Sequence, residues 1–356
     1  MRRGIIGLVS VLVALCLASP RMASSAPEAS HAPVSKQFVP VSVSFVSDAK
    51  AWVLGTIPCG HQTCTSIART NNRGKTWAHL PAPPAKNPQT IAFANRDDGF
   101  VLTGESPTSS SSPRHHKLFV TRNRGKHWSQ VSIKGGHPVA VSTNGSQVFV
   151  IADPSRGHLK LLSGSVGGKA WRTLGTVDGE GLVAQGNYVY VYPLEVQDEV
   201  ASRPALDVWN GNTLTSHTLP CTDDWANALA ASTPTDLALI CAGEPSAGQQ
   251  LKTAYTSSSA GSGWTEVSKP PANGYVASAA ATTSGTFFTG DRNGIVATRD
   301  SGSEWKTSAM RYIASGFSYV GFTDPEHGVA IIEPSGPDPI LLTNDAGRHW
   351  HAVTVR

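Results

Sequence analysis

The chain has 356 residues, of which 40% are hydrophobic and only 15% charged, a composition that suits a large packed core and excludes wholesale disorder. Its formal net charge is +4, and the Lys and Arg residues form no basic stripe, which excludes nucleic acid as an expected partner. Glycine (34) and proline (24) are frequent and no long stretch has helical periodicity, so the sequence favours many short strands.

The first 26 residues have the pattern of a secretory signal. Arg2 and Arg3 precede an apolar run over 5–18 that is short for a membrane span, and small residues follow through Ala26. We therefore predict a signal peptide over 1–26, a disordered linker over 27–36 and an exported mature protein, secreted or in the cell envelope, without a transmembrane segment. Two points stay open: cleavage after Ala18, Ala23 or Ala26, and lipidation of Cys16, which the bulky preceding Leu15 disfavours.

From residue 70 onwards the chain repeats an eight-residue pattern, here called the turn motif. It has Ser or Thr at the first position, Asn or Asp at the third, Gly at the fifth and Trp at the eighth. Four clear copies carry the residues Thr70, Asn72, Gly74 and Trp77; Thr121, Asn123, Gly125 and Trp128; Thr298, Asp300, Gly302 and Trp305; and Thr343, Asp345, Gly347 and Trp350. Weaker copies run from Ser257 to Trp264 and, with one extra residue, from Ser163 to Trp171.

The residue types of the turn motif suit a self-contained hairpin turn. The hydroxyl at the first position and the side chain at the third can bond turn amides, and the glycine supplies a backbone with positive φ. The tryptophan buries a large ring beside the next strand. The motif therefore has the features of a closed hairpin turn.

The spacing of the motif tryptophans predicts seven repeats. Successive intervals are 51, 43, 93, 41 and 45 residues, and 93 corresponds to two periods. A missing copy is expected near residue 214, where 206–212 and 216–219 have the pattern of a hairpin with an eroded turn. Units of 40 to 50 residues have the length of propeller blades.

A second hairpin precedes each motif, as in 41–45 with 51–55 and in 91–93 with 100–104. Two hairpins per repeat give four strands. The sequence therefore predicts an all-β fold, a seven-bladed β-propeller of four-stranded antiparallel blades over 37–356. Ring closure stays open, because residues 34–40 could add a strand shared between the chain ends.

The turn motif resembles the Asp-box, or bacterial neuraminidase repeat, S-x-D-x-G-x-T-W, with Asn72 and Asn123 in place of the usual Asp. The resemblance implies a propeller with the motifs between the third and fourth strands of each blade, away from the ligand-binding face, so the motif residues are expected to be structural rather than a ligand site. Over 40–356 the chain is similar to the seven-bladed propellers of the photosystem II assembly and stability factor type. That family's arginine-rich patch has no counterpart that can be placed here, so the resemblance implies architecture and a binding role only.

The mature chain contains four cysteines, an even number that favours disulfides in an exported protein. In an antiparallel blade the start of the first strand lies beside the end of the second, which predicts a bridge between Cys221 and Cys241. Cys59 and Cys64 flank the turn between the second and third strands of blade 1, which predicts a second bridge. Zinc is the weaker alternative, since the spacings do not form two short pairs; we predict no metal site.

Alternating strand directions place the motifs and the first-to-second turns on one face of the ring, here called the motif face. The remaining loops lie on the opposite face, the loop face, where loops on a rigid scaffold commonly bear function. The candidate binding residues on the loop face are His115 and His116, Glu195 and Asp198, and Asp223, Asp224 and Trp225. The alternative for each is structural: a solvated loop for the histidines and acids, and a core position for Trp225.

Two classes of function remain. The first is an exported, non-catalytic binding or assembly scaffold that uses the loop face to hold a protein or glycan partner. The alternative is a secreted glycoside hydrolase with two facing carboxylates, such as Asp178 with Glu180 or Asp223 with Glu244. A typical sialidase is not expected, because the Arg-Ile-Pro motif is absent and no Arg occurs over 22–68. We assign no catalytic residue, expect no cofactor and expect a monomer.

Overall fold

The computed structural model describes residues 38–104, 116–154, 158–194, 204–221, 226–291, 294–310, 316–332 and 340–355. Within these ranges the chain forms seven four-stranded antiparallel sheets in a ring and no helix. The prediction of an all-β, seven-bladed β-propeller is confirmed. No helix in the described ranges could span a membrane. The predicted signal peptide (1–26) and linker (27–36) lie outside these ranges and stay predictions.

Each blade consists of four strands consecutive in the chain. Blade 1 is β1 (Val39–Ser47), β2 (Lys50–Cys59), β3 (Gln62–Thr70) and β4 (Ala78–Leu80). Blade 2 is β5 (Pro88–Phe93), β6 (Gly99–Thr103), β7 (Lys117–Thr121) and β8 (Ser129–Val131). Blade 3 is β9 (His137–Thr143), β10 (Gln147–Asp153), β11 (Leu159–Ser165) and β12 (Trp171–Val177). Blade 4 is β13 (Gly181–Gln185), β14 (Tyr188–Tyr192), β15 (Ala205–Trp209) and β16 (Leu214–Thr218).

The other three blades repeat this order. Blade 5 is β17 (Ala226–Ala231), β18 (Leu237–Ala242), β19 (Lys252–Ser257) and β20 (Thr265–Glu266). Blade 6 is β21 (Val276–Thr283), β22 (Thr286–Asp291), β23 (Gly294–Thr298) and β24 (Lys306–Met310). Blade 7 is β25 (Phe317–Phe322), β26 (Gly328–Ile332), β27 (Ile340–Thr343) and β28 (His351–Val353). The second strands are almost wholly buried, as expected of strands covered by a blade on each side.

Each turn motif folds as a closed hydrogen-bonded unit between the third and fourth strands of its blade. In blade 1 the Thr70 hydroxyl accepts the Gly74 N–H at 2.9 Å, and the Asn72 side chain accepts the Thr76 N–H at 2.9 Å. The copies in blades 2, 6 and 7 repeat both contacts. The fourth residue, Arg73, shares the positive φ of the glycine, at 58° beside 73°.

The two motif residues with positive φ, Arg73 and Gly74 in blade 1, form a left-handed pair that connects the two turns of one blade. The Arg73 N–H donates to the Ala49 carbonyl in the first-to-second turn at 3.1 Å. Equivalent bonds leave Arg124, Ala260, Ser301 and Ala346 in the other blades that carry this geometry. These bonds place both kinds of turn on one face, so the motif face and the loop face are as predicted.

Each motif also packs against the preceding blade. A Cβ atom on Gly302 would lie only 2.5 Å from Val267 of blade 5, and one on Gly347 only 2.7 Å from Phe288 of blade 6. The Trp305 indole N–H donates to the Ser268 carbonyl at 2.8 Å, again across the blade boundary. Because a side chain at the motif glycine would push the blades apart, the glycine is needed for packing as well as for backbone conformation.

Blade 4 confirms the expected hairpin without a motif. The turn between β15 and β16 is held by Asn210, whose side-chain oxygen accepts the N–H groups of Asn212 at 3.0 Å and Thr213 at 2.9 Å. This short turn replaces the longer motif and keeps the fourth strand in register, with Trp209 paired to Leu214.

The ring closes without a strand shared between its ends in the described residues. Val39 and Pro40 belong to β1, the first strand of blade 1, and β25 to β28 complete blade 7 by themselves. Blades 1 and 7 instead join through a buried apolar cluster that includes Phe38 and Val355, close to the two ends of the described chain. The open question of closure is thus resolved in favour of side-chain packing.

Both predicted cysteine pairs form disulfides, with Cα–Cα distances of 5.8 Å for Cys59–Cys64 and 5.5 Å for Cys221–Cys241. Cys221 and Cys241 are buried within blade 5, whereas Cys64 is exposed at the tip of the β2–β3 hairpin. The two bridges therefore restrict very different parts of the chain.

We expect the paired substitution C221A/C241A to lower the free energy of unfolding by about 3 kcal/mol, because this bridge closes the longer loop. The pair C59A/C64A should lower it by less, about 2 kcal/mol, since that bridge spans only 5 positions. Urea unfolding of both variants under non-reducing conditions measures the difference. Equal losses would contradict the assignment of the main stabilising role to the buried bridge.

Asp345, the acid at the third motif position of blade 7, predicts a dependence of stability on pH. Burial works to raise the pKa of Asp345, but N–H and side-chain bonds from His349 together with the Thr343 hydroxyl lower it to about 2, below the usual 3.8. Its stabilising contribution should be complete above the usual value and lost as pH falls towards 2. We expect D345N to cost about 1 kcal/mol near pH 6 and almost nothing near pH 2, measured by urea unfolding.

Candidate functional site

The loop face contains a large cleft between blades 1 and 2, here called the blade 1–2 cleft. Its volume is about 790 Å³. One wall is the tip of the β2–β3 hairpin, and a second wall is the end of β6 with the beginning of β7. The connection over 82–87 also lines the cleft. The contributing side chains are mostly polar: Gln62, Thr63, Thr65, Asn87, Thr103, Lys86 and Lys117.

Local hydrogen bonds fix the walls of the blade 1–2 cleft. The Thr65 hydroxyl donates to the Ala85 carbonyl at 2.6 Å, and the Gly104 N–H donates to the Asn87 carbonyl at 2.8 Å. The Cys59–Cys64 bridge stiffens the hairpin tip that forms one wall. A site whose backbone is held in this way loses little entropy when a ligand binds.

The described lining residues of the cleft carry a positive charge. The described lining residues include two lysines, Lys86 and Lys117, and neither a carboxylate nor an aromatic side chain. Lys86 is exposed and has no ion pair with a described residue. The cleft therefore offers hydrogen-bonding groups and positive charge rather than paired acids.

His116 is the one predicted binding residue that the described ranges contain. Its side chain is 8% exposed, and its Nδ1 lies 3.1 Å from the Pro138 carbonyl of blade 3. The Nε2 lies 3.3 Å from the Gln89 amide, and the ring packs beside Gly104, which lines the cleft. The ring thus supports the wall of the blade 1–2 cleft from behind; its direct role in binding stays a prediction.

The other predicted binding residues lie outside the described ranges. These are His115, Glu195, Asp198, Asp223, Asp224 and Trp225. The segment containing His115 connects β6 to β7 and therefore begins and ends at the cleft. Their binding roles stay predictions.

A second ordered part of the loop face joins blades 5 and 6 around Lys252. The ammonium group is fully buried and donates to the carbonyls of Pro271 at 2.9 Å, Asn273 at 2.9 Å and Gly274 at 3.0 Å. Asp291 lies 3.5 Å away as its counter-ion. Burial lowers the pKa of Lys252, and the Asp291 carboxylate opposes that shift.

The bonds of Lys252 hold the connection over 268–275 against blade 5. Next to it Gln250, also buried, donates to the Gly243 carbonyl and accepts the Val276 N–H, both at 2.8 Å. The side chain between these two anchors, Leu251, is 78% exposed.

The described contacts identify no facing pair among the acidic residues predicted for hydrolysis. Asp178 is exposed and lies 3.3 Å from His158, while its N–H donates to the buried Asp207 carboxylate at 3.0 Å. Burial raises the pKa of Asp207, and the bond from Asp178 opposes that shift. Asp207 therefore holds the blade 3–4 connection in place. No group of three or more potential metal ligands occurs in the described part of the chain.

The chain matches no protein-family model and no curated protein. Solved structures similar to it include YCF48 bound to a D1 peptide, with 14% identity, a TM-score of 0.61 and coverage of 87% of this chain and 93% of that chain. YCF48 from Cyanidioschyzon merolae has 13% identity and a TM-score of 0.59, covering 88% and 97%. The propeller domain of the Trilobed protease from Pyrococcus furiosus, which has an open velcro topology, has 8% identity and a TM-score of 0.60, covering 90% and 96%. At these identities the similarity shows the fold alone.

Two features of the loop face were missed in the sequence. Lys252 begins a strand whose neighbours are Thr and Ala, and a lysine at the end of a half-buried strand gives no signal of complete burial. The polar lining of the blade 1–2 cleft comes from residues that are ordinary in turns. Only the close spacing of Pro83, Pro84, Lys86 and Asn87 marked that connection as irregular.

We expect K252M to lower the free energy of unfolding by about 3 kcal/mol or more, because it leaves the buried Asp291 without its counter-ion. The double variant K252M/D291N should recover part of that loss. K269M, at an exposed lysine of the same connection, is the matched control and should be close to neutral. Urea unfolding measures all three, and a neutral K252M would show that the ion pair does not hold this region.

Proposed function

We propose that the protein is an exported, non-catalytic binding scaffold that holds an extended segment of a protein partner in the blade 1–2 cleft. The observation that carries the proposal is the lining of the cleft, which combines fixed hydrogen-bonding groups with two lysines and has no described carboxylate. An extended peptide presents one N–H and one C=O per residue, which suits such a lining. The lysines favour an acidic segment.

Two further observations support the proposal. The similar propeller YCF48 has been solved with a D1 peptide bound, so a ring of this fold can serve as a peptide receptor. The two disulfides suit an oxidising compartment outside the cytosol, in agreement with the signal-like N-terminus. The Asp-box character of the turn motifs remains part of the proposal and places them away from the binding face.

The glycoside hydrolase remains the alternative. It requires two carboxylates separated by roughly 5 to 10 Å across a substrate. Asp178 lies beside His158, and its N–H donates to the buried carboxylate of Asp207 on β15, which holds the blade 3–4 connection. The described residues supply no observation that favours hydrolysis over binding.

The test selects peptides from a displayed random library on the purified mature protein. We expect the selected peptides to be acidic, to bind more weakly at high salt, and to lose about tenfold in affinity in K86E because one favourable charge becomes unfavourable. K269E, on a different loop-face connection, is the matched control and should keep wild-type affinity.

Two results would contradict the proposal. In the first, the selected peptides bind K86E as tightly as the wild type. In the second, incubation with a panel of polysaccharides releases reducing sugars, which would favour the hydrolase.

A further inference from the structure

The junctions between blades differ at one buried position. It is the residue of the second strand that pairs with the residue immediately before the turn motif: Trp52 with Arg69, Phe100 with Val120, Phe288 with Ala297, and Val329 with Leu342. In blades 1, 2 and 6 this residue is aromatic, and its ring lies beside the motif glycine of the next blade. In blades 7 and 3 it is a valine, Val329 and Val150, and in blade 5 it is an alanine, Ala238.

Val329 stands at the junction where the ring closes. A Cβ atom on Gly74 of blade 1 would lie 3.1 Å from Leu342 and 3.7 Å from Val353, and no aromatic ring of blade 7 is among its nearest neighbours. A cavity of about 400 Å³, here called the closing cavity, opens at this place on the motif face. Phe45, Leu342 and Val353 supply its apolar surface. Its volume lies in the range of small-molecule sites.

The rim of the closing cavity is polar and carries a surplus of positive charge. It includes Arg73, Lys75, Asn344, His327 and His351. The carboxylate of Asp48, the acid of the rim, is paired with Arg73, and His327 bonds Asp324 at 2.8 Å. Lys75 has no ion pair with any described residue and is exposed. One cation at the rim thus remains available to a ligand.

From the apolar wall of the closing cavity and its charged rim we infer that the cavity binds a small organic anion with an apolar body, such as a medium-chain or aryl carboxylate. The apolar part lies against Phe45, Leu342 and Val353 and removes their exposed apolar surface from water. The anionic group lies at the rim, where it forms a charge-assisted hydrogen bond with Lys75. A cation would meet the surplus positive charge, and a neutral apolar molecule would leave Lys75 without compensation.

This site is separate from the proposed peptide site. The closing cavity lies on the motif face between blades 7 and 1, whereas the blade 1–2 cleft lies on the loop face. Variants at one site are not expected to affect the other, so the two proposals fail or succeed independently.

The experiment titrates the purified mature protein with octanoate and follows binding by calorimetry and by the amide signal of Gly74. Octanol, with the same chain and no charge, and acetate, with the same charge and almost no apolar body, are the matched probes. V353F adds bulk at the apolar wall of the cavity, and K75A removes the unpaired rim charge. K126A, at the same motif position in blade 2, is the control variant, and thermal unfolding checks that each variant folds.

We expect octanoate to bind the wild type and K126A equally, with a Kd of roughly a millimolar or lower. K75A and V353F should each weaken binding by about tenfold or more. K75A changes an exposed side chain, so it keeps the test decisive if V353F does not fold.

Three outcomes would overturn the inference. In the first, octanoate fails to bind the wild type. In the second, octanoate binds K75A as tightly as the wild type, so the rim charge plays no part. In the third, octanol or acetate binds as tightly as octanoate, which would indicate a purely apolar cavity or an unspecific surface charge.

Discussion

The packing of each motif glycine against the preceding blade is the contact on which the ring depends. A propeller blade is a small sheet with two faces to bury, and it becomes stable only when neighbours cover both. The motif supports this arrangement in two ways: the left-handed pair ties the two turns of one blade together, and the glycine allows the blade behind to approach within contact distance. The tryptophan at its end closes the boundary from outside, as Trp305 does through its bond to Ser268.

Because the motifs lie on one face of the ring, the connections on the loop face can differ in length and sequence between blades. The turn chemistry that repeats from blade to blade lies on the motif face, whereas the described connections on the opposite face are held by hydrogen bonds that differ between blades. Lys252 bonds three carbonyls between blades 5 and 6, whereas between blades 1 and 2 a threonine, a backbone amide and a disulfide stabilise the walls of a cleft. A rigid ring with individually built connections suits recognition of a partner by shape and charge.

The sequence predicted the ring far better than the site. Repeats of Gly and Trp at fixed spacing identify the number of blades because each copy has the same geometric task, and the cysteine pairs follow once strand order is known. The site depends on contacts between residues remote in the chain, which no local pattern reveals. His116 looked like part of a polar loop, yet its ring is buried between Gln89 and Pro138, on strands of different blades. The positive φ of Arg73 was also missed, because it follows from the tertiary bond to Ala49 and not from the residue type.

The absence of a shared strand at the junction of blades 7 and 1 has a consequence for the topology of the chain. Every blade is built from its own consecutive strands. The junction between blades 7 and 1 is therefore held by apolar side-chain packing, although no connection between consecutive blades passes through it. The order of the blades along the chain is therefore not what maintains the ring. A circular permutant that joins the ends near Phe38 and Val355 and opens the chain between two other blades keeps every interblade surface intact.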